Sequence, residues 1–225
     1  EPHHISINAS TLLNGYYGLY TSGRSGRSSH LNVTNSNILG GYNFGLYLSA
    51  QDSITVRNNL IIPRSGASAS YQGLYVYYST GGSIIKNRIY AVNANDGMYG
   101  FSLQGHPSDP YLIANNFIST GGNNSGGYTM ELQSLDYVKV VHNNLLTTNT
   151  DPDGAAFNDD YSYYNGSNGV EVLNNVFQNE GGGYAVKVDH SNTTTSFNYN
   201  NLYTTGSKLA RWSTTDAADL ADWQS

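Results

Sequence analysis

The feature that most constrains this fold is a short motif that recurs at intervals of about 28 residues along the chain. Each copy has an Asn followed by a short apolar pair, as in VRNNLI, IKNRIY, IANNFI and VHNNLL. The Asn taken as the marker of each copy is, in order, Asn35, Asn58, Asn87, Asn115, Asn143, Asn174 and Asn200. A fixed period of this length is typical of stacked repeats and not of a single globular core.

A column of small residues accompanies these Asn residues. It consists of Gly18, Gly45, Gly73, Gly100, Gly127 and Gly183, with Ala155 or Ala156 in the sixth place. An alternating segment such as GLYLSA, GLYVYY or GYAVKV follows each Gly, and this alternation predicts a β-strand. Repeats of strand, turn and strand stack as coils of a parallel β-helix, with successive coils about 4.8 Å apart. We therefore expect residues 1–203 to form a stack of about seven to eight coils.

The seven Asn residues are predicted to be structural. In a β-helix each would lie above the next, because residues one repeat apart become neighbours in space. Asn tolerates the left-handed backbone conformation that a tight corner needs. Its amide can also bond to its counterpart one coil away, as in stacked strands. These residues are expected at corners of the coil and not as ligands.

The repeat fades after Tyr203, and residues 204–225 are predicted to be a C-terminal extension. In STTDAADLADW, Ser213 is placed to cap a helix, and Leu220 and Trp223 lie three residues apart. This pattern predicts a short amphipathic helix that packs as a capping or edge element. Both ends of the chain lack an obvious cap, so we expect the remainder of a larger polypeptide beside it.

Composition excludes several classes of function. The formal net charge of -6 argues against binding nucleic acid through a basic surface. The sequence has no run of about 18 apolar residues, so membrane insertion through a helix is not expected. With no Cys, the chain cannot form a disulfide framework.

One polar constellation follows if the Gly column sets the register. Glu131, Asp159 and Lys187 would then share an outward position on three successive coils, about 5 Å apart. Two carboxyl groups at such a spacing could divide acid and nucleophile roles, with the Lys as a proton acceptor. An ordinary charge-compensated surface explains the same residues. The polar residues predicted to flank them as binding residues are Gln104, His106, Gln133, Tyr161 and Asp189.

A second candidate site is aromatic. Tyr20, Tyr47, Tyr75 and Tyr77 are predicted to face outward on successive coils. Aromatic rings beside hydroxyl and amide groups suit sugar rings, which have apolar faces and polar rims. Aromatic packing between coils, worth about 0.5–1.5 kcal/mol per pair, would use the same residues, and the two roles can coexist.

A third candidate is an oxygen-rich loop, NTDPDGAAFNDD. Asp151 and Asp153 in it could bind calcium, which takes six to eight oxygen ligands. A plain Asp-Pro-Asp-Gly turn accounts for the same residues.

Together, the x-N-N corners, the Gly-led strands and the closing NLY…ARWSTTDAADLADW segment resemble the right-handed parallel β-helix proteins, which include pectate-lyase-like polysaccharide enzymes. The likeness is greatest to β-helix modules of large secreted or surface proteins of Bacteroidota-type bacteria. It implies an all-β, right-handed parallel β-helix with a short C-terminal helix. The chain lacks both the calcium-binding acids with an Arg or Lys base of the lyases and the Asp set of polygalacturonase-type hydrolases, so no catalytic residue is carried over.

The sequence thus leaves three functions open. The first is a noncatalytic module of a larger secreted or cell-surface protein that contacts polysaccharide through its exposed strand face. The second is a polysaccharide lyase or glycoside hydrolase acting at Glu131, Asp159 and Lys187 on that face. The third is a structural spacer or filament segment, with end-to-end self-association through its ends.

Overall fold

A computed structural model describes residues 4–23, 30–92, 96–123, 126–160, 168–189 and 194–224. In these residues the chain forms 23 β-strands and one short α-helix. None of its described helices is long and apolar enough to cross a membrane.

Each coil has three arms, named here in the order in which the chain follows them. The strands of the first arm are β3 (Tyr17–Ser22), the start of β6 (Phe44–Arg57), the start of β8 (Gln72–Ile85), β10 (Asp96–Gln104), β13 (Tyr128–Gln133), β16 (Ala155–Asp160), β19 (Tyr184–Val188) and β22 (Ala210–Trp212). The second arm contains β1 (His4–Asn8), β4 (His30–Thr34), the ends of β6 and β8, β11 (Tyr111–Ala114), β14 (Val138–Val141), β17 (Val170–Leu173) and β20 (Thr194–Asn198).

The third arm forms a separate sheet of eight strands within the described residues. These are β2 (Thr11–Leu13), β5 (Asn37–Gly41), β7 (Leu60–Pro63), β9 (Arg88–Ala91), β12 (Phe117–Thr120), β15 (Asn144–Thr147), β18 (Val176–Asn179) and β21 (Asn201–Thr204). The first two arms share one 15-stranded sheet, because β6 and β8 run through the corner between them without a break. Strands of successive coils pair in parallel, which confirms the predicted parallel β-helix.

The interior of the stack is filled by apolar side chains from all three arms. Fully buried examples are Leu46, Leu74, Met98, Met130 and Phe157 on the first arm, Val33, Val56, Ile84 and Ile113 on the second, and Ile38, Ile61, Ile89 and Ile118 on the third. Register partners on adjacent coils are therefore direct neighbours in the core, and each coil needs its neighbours to bury its apolar face.

Buried amides form a continuous ladder at the corner between the second and third arms. This asparagine ladder consists of Asn59, Asn87, Asn116, Asn143, Asn175 and Asn200. The Nδ2 of each residue donates to the Oδ1 of the next at 2.9–3.0 Å. It also donates to a backbone carbonyl of the preceding coil, as Asn87 does to Val56 at 2.8 Å. The amides are thus satisfied without water.

This ladder corrects the predicted Asn column, which divides into two. Asn87, Asn143 and Asn200 belong to the ladder, whereas Asn58, Asn115 and Asn174 each precede a ladder residue by one. Asn35 precedes Ser36, whose N–H donates to Asn59 Oδ1 at the start of the ladder. Asn35, Asn58, Asn115 and Asn174 are exposed and have φ between 52° and 56°. Lys86, His142 and Tyr199 have the same left-handed conformation at the equivalent place in the other coils. The left-handed corner and the buried amide are therefore two successive positions. In an Asn-Asn pair, the first Asn adopts the left-handed conformation and the second joins the ladder.

The predicted Gly column also needs a correction. Gly97 pairs at the level of Gly73, and the column continues as Thr129, Ala156 and Ala185. A Cβ on Gly97 would lie 2.3 Å from Ile118 Cγ2 and 2.7 Å from Thr129 O, so this position admits only small residues. Gly100, predicted to fill it, instead pairs with Val76 and Leu132. The residues of the later coils therefore pair in a different register from the one predicted.

The C-terminal segment closes one end of the stack. Strand β22 pairs in parallel with β19 and in antiparallel with β23 (Thr215–Ala217). The helix α1 (Leu220–Trp223) follows, and Asp219, not Ser213, caps it by accepting from Ala221 N–H and Asp222 N–H. The Trp223 ring lies 5.4 Å from Phe197 and 5.5 Å from Trp212 between centroids, so the helix packs on the last coils.

Candidate functional site

One row of side chains on the outer face of the first arm passes through every coil. Its register partners, one per coil, are Tyr20, Tyr47, Tyr75, Tyr99, Glu131, Asn158, Lys187 and Arg211. The row changes character halfway along, from four phenols to a carboxyl, an amide and two cations. We call its first half, Tyr20 to Tyr99, the tyrosine row. The next three residues, Glu131, Asn158 and Lys187, are the polar end, and Arg211 follows them.

The tyrosine row is a stack of parallel rings. Ring centroids are 4.9 Å apart for Tyr20 and Tyr47, 4.7 Å for Tyr47 and Tyr75, and 5.1 Å for Tyr75 and Tyr99. The interplanar angles are 11–14°. The spacing follows from the distance between parallel strands. The predicted aromatic packing is therefore present at all four predicted tyrosines, three of them in this row and Tyr77 beside it.

Stacking determines what the row offers to a ligand. Neighbouring rings cover each other's faces, so ring edges and hydroxyl groups are left for solvent. Burial raises the pKa of Tyr75 to about 12, with the neighbouring phenols Tyr47, Tyr77 and Tyr78 adding to the effect. The Tyr75 hydroxyl group therefore remains protonated at neutral pH and can act as a hydrogen-bond donor. Tyr77 lies one column further along and stacks on Phe101, with centroids 4.9 Å apart.

Glu131 lies beside the last ring of the row and within a hydrogen-bonded network. The Gln133 Nε2 donates to Glu131 Oε1 at 2.8 Å and to Asp160 Oδ2 at 3.0 Å. Tyr99 Oη in turn donates to Gln133 Oε1 at 3.2 Å. A single amide thus joins two carboxyl groups to the tyrosine row.

Asp96 is a further carboxyl group whose charge acts on Glu131, and it is almost fully buried. It accepts from Gln72 Nε2 at 2.7 Å and from Tyr128 N–H at 3.3 Å. Burial raises the pKa of Asp96 to about 6. Burial, together with the charge on Asp96, raises the pKa of Glu131 to about 8. Glu131 is therefore largely protonated at neutral pH, which is the state that a proton donor needs.

Lys187 is the cation of the polar end and is only 7% exposed. Its Nζ donates to Tyr128 Oη at 3.3 Å and lies 5.3 Å from the centre of the Tyr128 ring. The cation therefore interacts with a phenol, and its charge lowers the pKa of Glu131 only as a minor effect.

The structure corrects the position of Asp159. Its register partners are the buried residues Leu132 and Val188, so it lies on the opposite face of the strand from Glu131. Asn158 occupies the place between Glu131 and Lys187 instead. The predicted trio is thus divided. Glu131 and Lys187 lie in one outward row, whereas Asp159 faces the interior of the stack. The cause is the shifted register of the Gly column.

The other predicted binding residues are spread over the surface. Gln133 lies within the network described above. Asp189 follows β19 and is half-buried, and its N–H donates to Asp159 O at 3.0 Å. Gln104 ends β10, and His106 lies in an exposed turn with Nδ1 2.8 Å from Ser108 Oγ. Tyr161 lies outside the described residues.

The acidic loop is organised by its own hydrogen bonds. Asp151 Oδ1 accepts from Asp153 N–H at 3.0 Å, and Asp151 Oδ2 accepts from Gly126 N–H. Gly154 N–H closes the turn on Asp151 O at 3.0 Å. Both carboxylate oxygens of Asp151 thus hold backbone amides, as in an Asx turn. Calcium binding by Asp151 and Asp153 stays a prediction.

Residues that sequence reasoning missed include Asp96, Tyr99 and Asn158. A signal for Tyr99 was present, because Gly97-Met98-Tyr99 repeats the Gly-Leu-Tyr of the first three coils. Placing Gly97 in the column would have put Tyr99 into the row. No local signal distinguishes Asp96 or Asn158 from other polar residues, because their roles depend on neighbours one coil away.

Fold and row together define an all-β solenoid with one polar and aromatic strand face. The model of the NosD family, described as periplasmic copper-binding protein (NosD), matches residues 2–125. This match covers more than half of the 225 residues, so the chain belongs to the NosD family. Searches of curated proteins and of solved structures found no match. The family's periplasmic description agrees with a location outside the cytoplasm.

The described residues do not fit the copper of the family's description. Copper sites use imidazole, thiolate or thioether ligands. The chain has no Cys, and its two Met residues, Met98 and Met130, are fully buried in the core. No group of three or more His, Cys, Asp or Glu that could hold a metal exists in the described part of the chain. His4 and His30 form a stacked pair with centroids 4.6 Å apart, without a third ligand among the described residues. We therefore assign no copper ligand.

Proposed function

We propose that this protein is a secreted or cell-surface β-helix module that binds polysaccharide along the first arm. The observation that carries this proposal is the in-register row from Tyr20 to Lys187. A row with one side chain per coil presents a repeating surface to a repeating ligand. The stretch of chain matched by the NosD family model contains the whole tyrosine row.

The chemistry of the row suits a sugar chain lying lengthwise. Ring edges and phenol hydroxyl groups at intervals of about 5 Å offer apolar contact and hydrogen bonds in alternation. The rings are held by their neighbours, so binding costs little side-chain entropy. No acid or base is needed for contact along the tyrosine row, so binding there is noncatalytic.

The test compares aromatic substitutions on the first arm with one on the third arm. The Tyr47→Ala/Tyr75→Ala variant removes the centre of the tyrosine row, and we expect it to weaken binding on a glycan array at least tenfold. Tyr90→Ala on the third arm is the matched control, because Tyr90 is also exposed and contacts an aromatic ring, Phe117, 5.7 Å away. Equal binding by both variants, or no binding by the wild type, would overturn the proposal.

A second candidate function, polysaccharide cleavage, is favoured by one observation at the polar end. Glu131 is a half-buried carboxyl group with a raised pKa, and Gln133 joins it to Asp160. Two carboxyl groups held this close suit an acid and a nucleophile of a glycoside hydrolase. If cleavage occurs there, Glu131→Gln should abolish release of reducing ends while binding along the tyrosine row persists. Turnover that Glu131→Gln leaves intact would exclude this mechanism.

A further inference from the structure

We propose that the polar end is a subsite for an uncharged, hydroxyl-rich sugar residue and that it rejects uronic acids. This inference rests on the proposed function, because it specifies which polysaccharide the first arm accepts. The subsite is formed by Glu131, Asn158 and Lys187, with Gln133 and Tyr128 beside them.

Asn158 supplies the observation that points to a ligand. Its side chain is 1% exposed, and its Oδ1 has no hydrogen-bond partner among the described residues. A buried acceptor without a partner is costly, so such groups are rare unless a ligand completes them. Its place in the row, between Glu131 and Lys187, puts it on the same face of the first arm. An acceptor at this place requires a donor from the ligand, and a sugar hydroxyl group is such a donor.

Glu131 complements Asn158. Because its pKa is raised, Glu131 carries a proton at neutral pH and can donate to a ligand oxygen. A hydroxyl group is both a donor and an acceptor, so it can bond to Asn158 Oδ1 and to Glu131 together. A carboxylate has no proton to give to Asn158 Oδ1.

The charges around the polar end disfavour an anion. Besides the protonated Glu131, three carboxyl groups, those of Asp160, Asp189 and Asp96, are close enough to Tyr128 to raise its pKa. Of the two cations in the row, Lys187 is engaged with the Tyr128 hydroxyl group and ring, and Arg211 is paired with Asp216. A uronate would add a negative charge to an already acidic site, which costs free energy in a desolvated position.

Continuity with the tyrosine row makes the subsite part of one surface. Tyr99 is the register partner of Glu131, and its hydroxyl group bonds to Gln133, which bonds to Glu131. A sugar chain lying on the row therefore reaches the polar end within one coil.

The first experiment measures selectivity. Calorimetric titration at pH 7 would compare linear hexasaccharides of glucose, xylose and mannose with a hexasaccharide of galacturonic acid. We expect at least one neutral hexasaccharide to bind at least tenfold more tightly than the galacturonate. A galacturonate affinity equal to or above every neutral one would overturn the inference, even if the Tyr47→Ala/Tyr75→Ala variant loses binding as proposed.

The second experiment tests Asn158 directly. Asn158→Leu removes the unpartnered acceptor, so we expect an unchanged or higher Tm together with at least tenfold weaker binding of the neutral hexasaccharide. A merely structural amide would instead lower the Tm on substitution. Asn144→Leu, an exposed Asn on the third arm, is the control and should leave binding unchanged.

The outcomes separate the two proposals. Unchanged binding by Asn158→Leu, with loss of binding by the tyrosine variant, would overturn the subsite alone. Failure of every hexasaccharide to bind would overturn both the subsite and polysaccharide binding.

Discussion

At the scale of single residues, the buried amides of the asparagine ladder hold successive coils in register. Asn116 Oδ1 accepts from both the backbone N–H and the Nδ2 of Asn87, at 2.9 and 3.0 Å. Its own Nδ2 donates to Asn143 Oδ1 and to Ile84 O. Removing the Asn116 amide therefore takes the acceptor from the Asn87 N–H and a donor from Ile84 O, and it takes one of two partners from Asn87 Nδ2 and from Asn143 Oδ1.

The two Asn residues of one corner should respond differently to substitution. We expect Asn116→Ala to lower the free energy of unfolding by roughly 3 kcal/mol or more, because buried donors lose their acceptor. Asn115→Gly, one residue earlier, should change it by less than about 1 kcal/mol, because Gly adopts the left-handed conformation freely. Chemical denaturation of both variants checks this, and equal losses would contradict the division into two columns.

Glu131 should make stability depend on pH. Its folded-state pKa of about 8 lies above the ordinary value of 4.5, because of burial and the charges of Asp96 and Asp160, against which Lys187 acts weakly. The folded protein therefore binds the proton more tightly, and this contribution to stability is lost as the pH rises from about 4.5 through 8.

Glu131→Gln removes this titration. Between pH 5 and pH 9, its free energy of unfolding should fall by at least about 1 kcal/mol less than that of the wild type, since one pKa unit corresponds to about 1.4 kcal/mol. Asp96 titrates in both proteins, so a residual fall near pH 6 is expected in each. Denaturation curves across this range are the measurement, and identical slopes would show that Glu131 is not buried in its acid form.

At the scale of the strand, the small-residue column sets how the first arm aligns. Gly97 faces a backbone oxygen and the Ile118 side chain, whereas Gly100 faces the flexible side chains of Leu132 and Leu103. Gly97→Ala should therefore destabilise the protein by about 1–3 kcal/mol through overpacking, and Gly100→Ala by clearly less. Thermal unfolding distinguishes the two variants. A larger effect at Gly100 would support the register expected from the sequence, in which Gly100 belongs to the small-residue column.

The sequence predicts strands and coils well because period and alternation are local properties. It places Tyr20, Tyr47 and Tyr75 correctly, since the first three coils share the same Gly-Leu-Tyr. Alignment fails in the fourth coil, where Gly97 and not Gly100 occupies the position, and from the fifth coil onward Thr129, Ala156 and Ala185 occupy it. What the position requires is a small side chain, and a pattern based mainly on Gly does not capture that requirement.

At the scale of the molecule, the stack turns distance along the chain into proximity. Tyr20 and Lys187 are far apart in sequence but belong to one row, because each coil adds one side chain to it. The polar end depends on partners from four coils, among them Asp96, Tyr128, Asp160 and Lys187. For this reason no single segment of the sequence indicates which residues meet at the polar end.

The most direct test of polysaccharide binding on this face is an NMR titration of the labelled protein with the neutral hexasaccharide that binds best. We expect the shifted amide signals to lie on the first arm, from Tyr47 through Glu131 to Lys187, with the third arm unaffected. Shifts concentrated on the third arm, or no shifts with any of the neutral hexasaccharides, would contradict it.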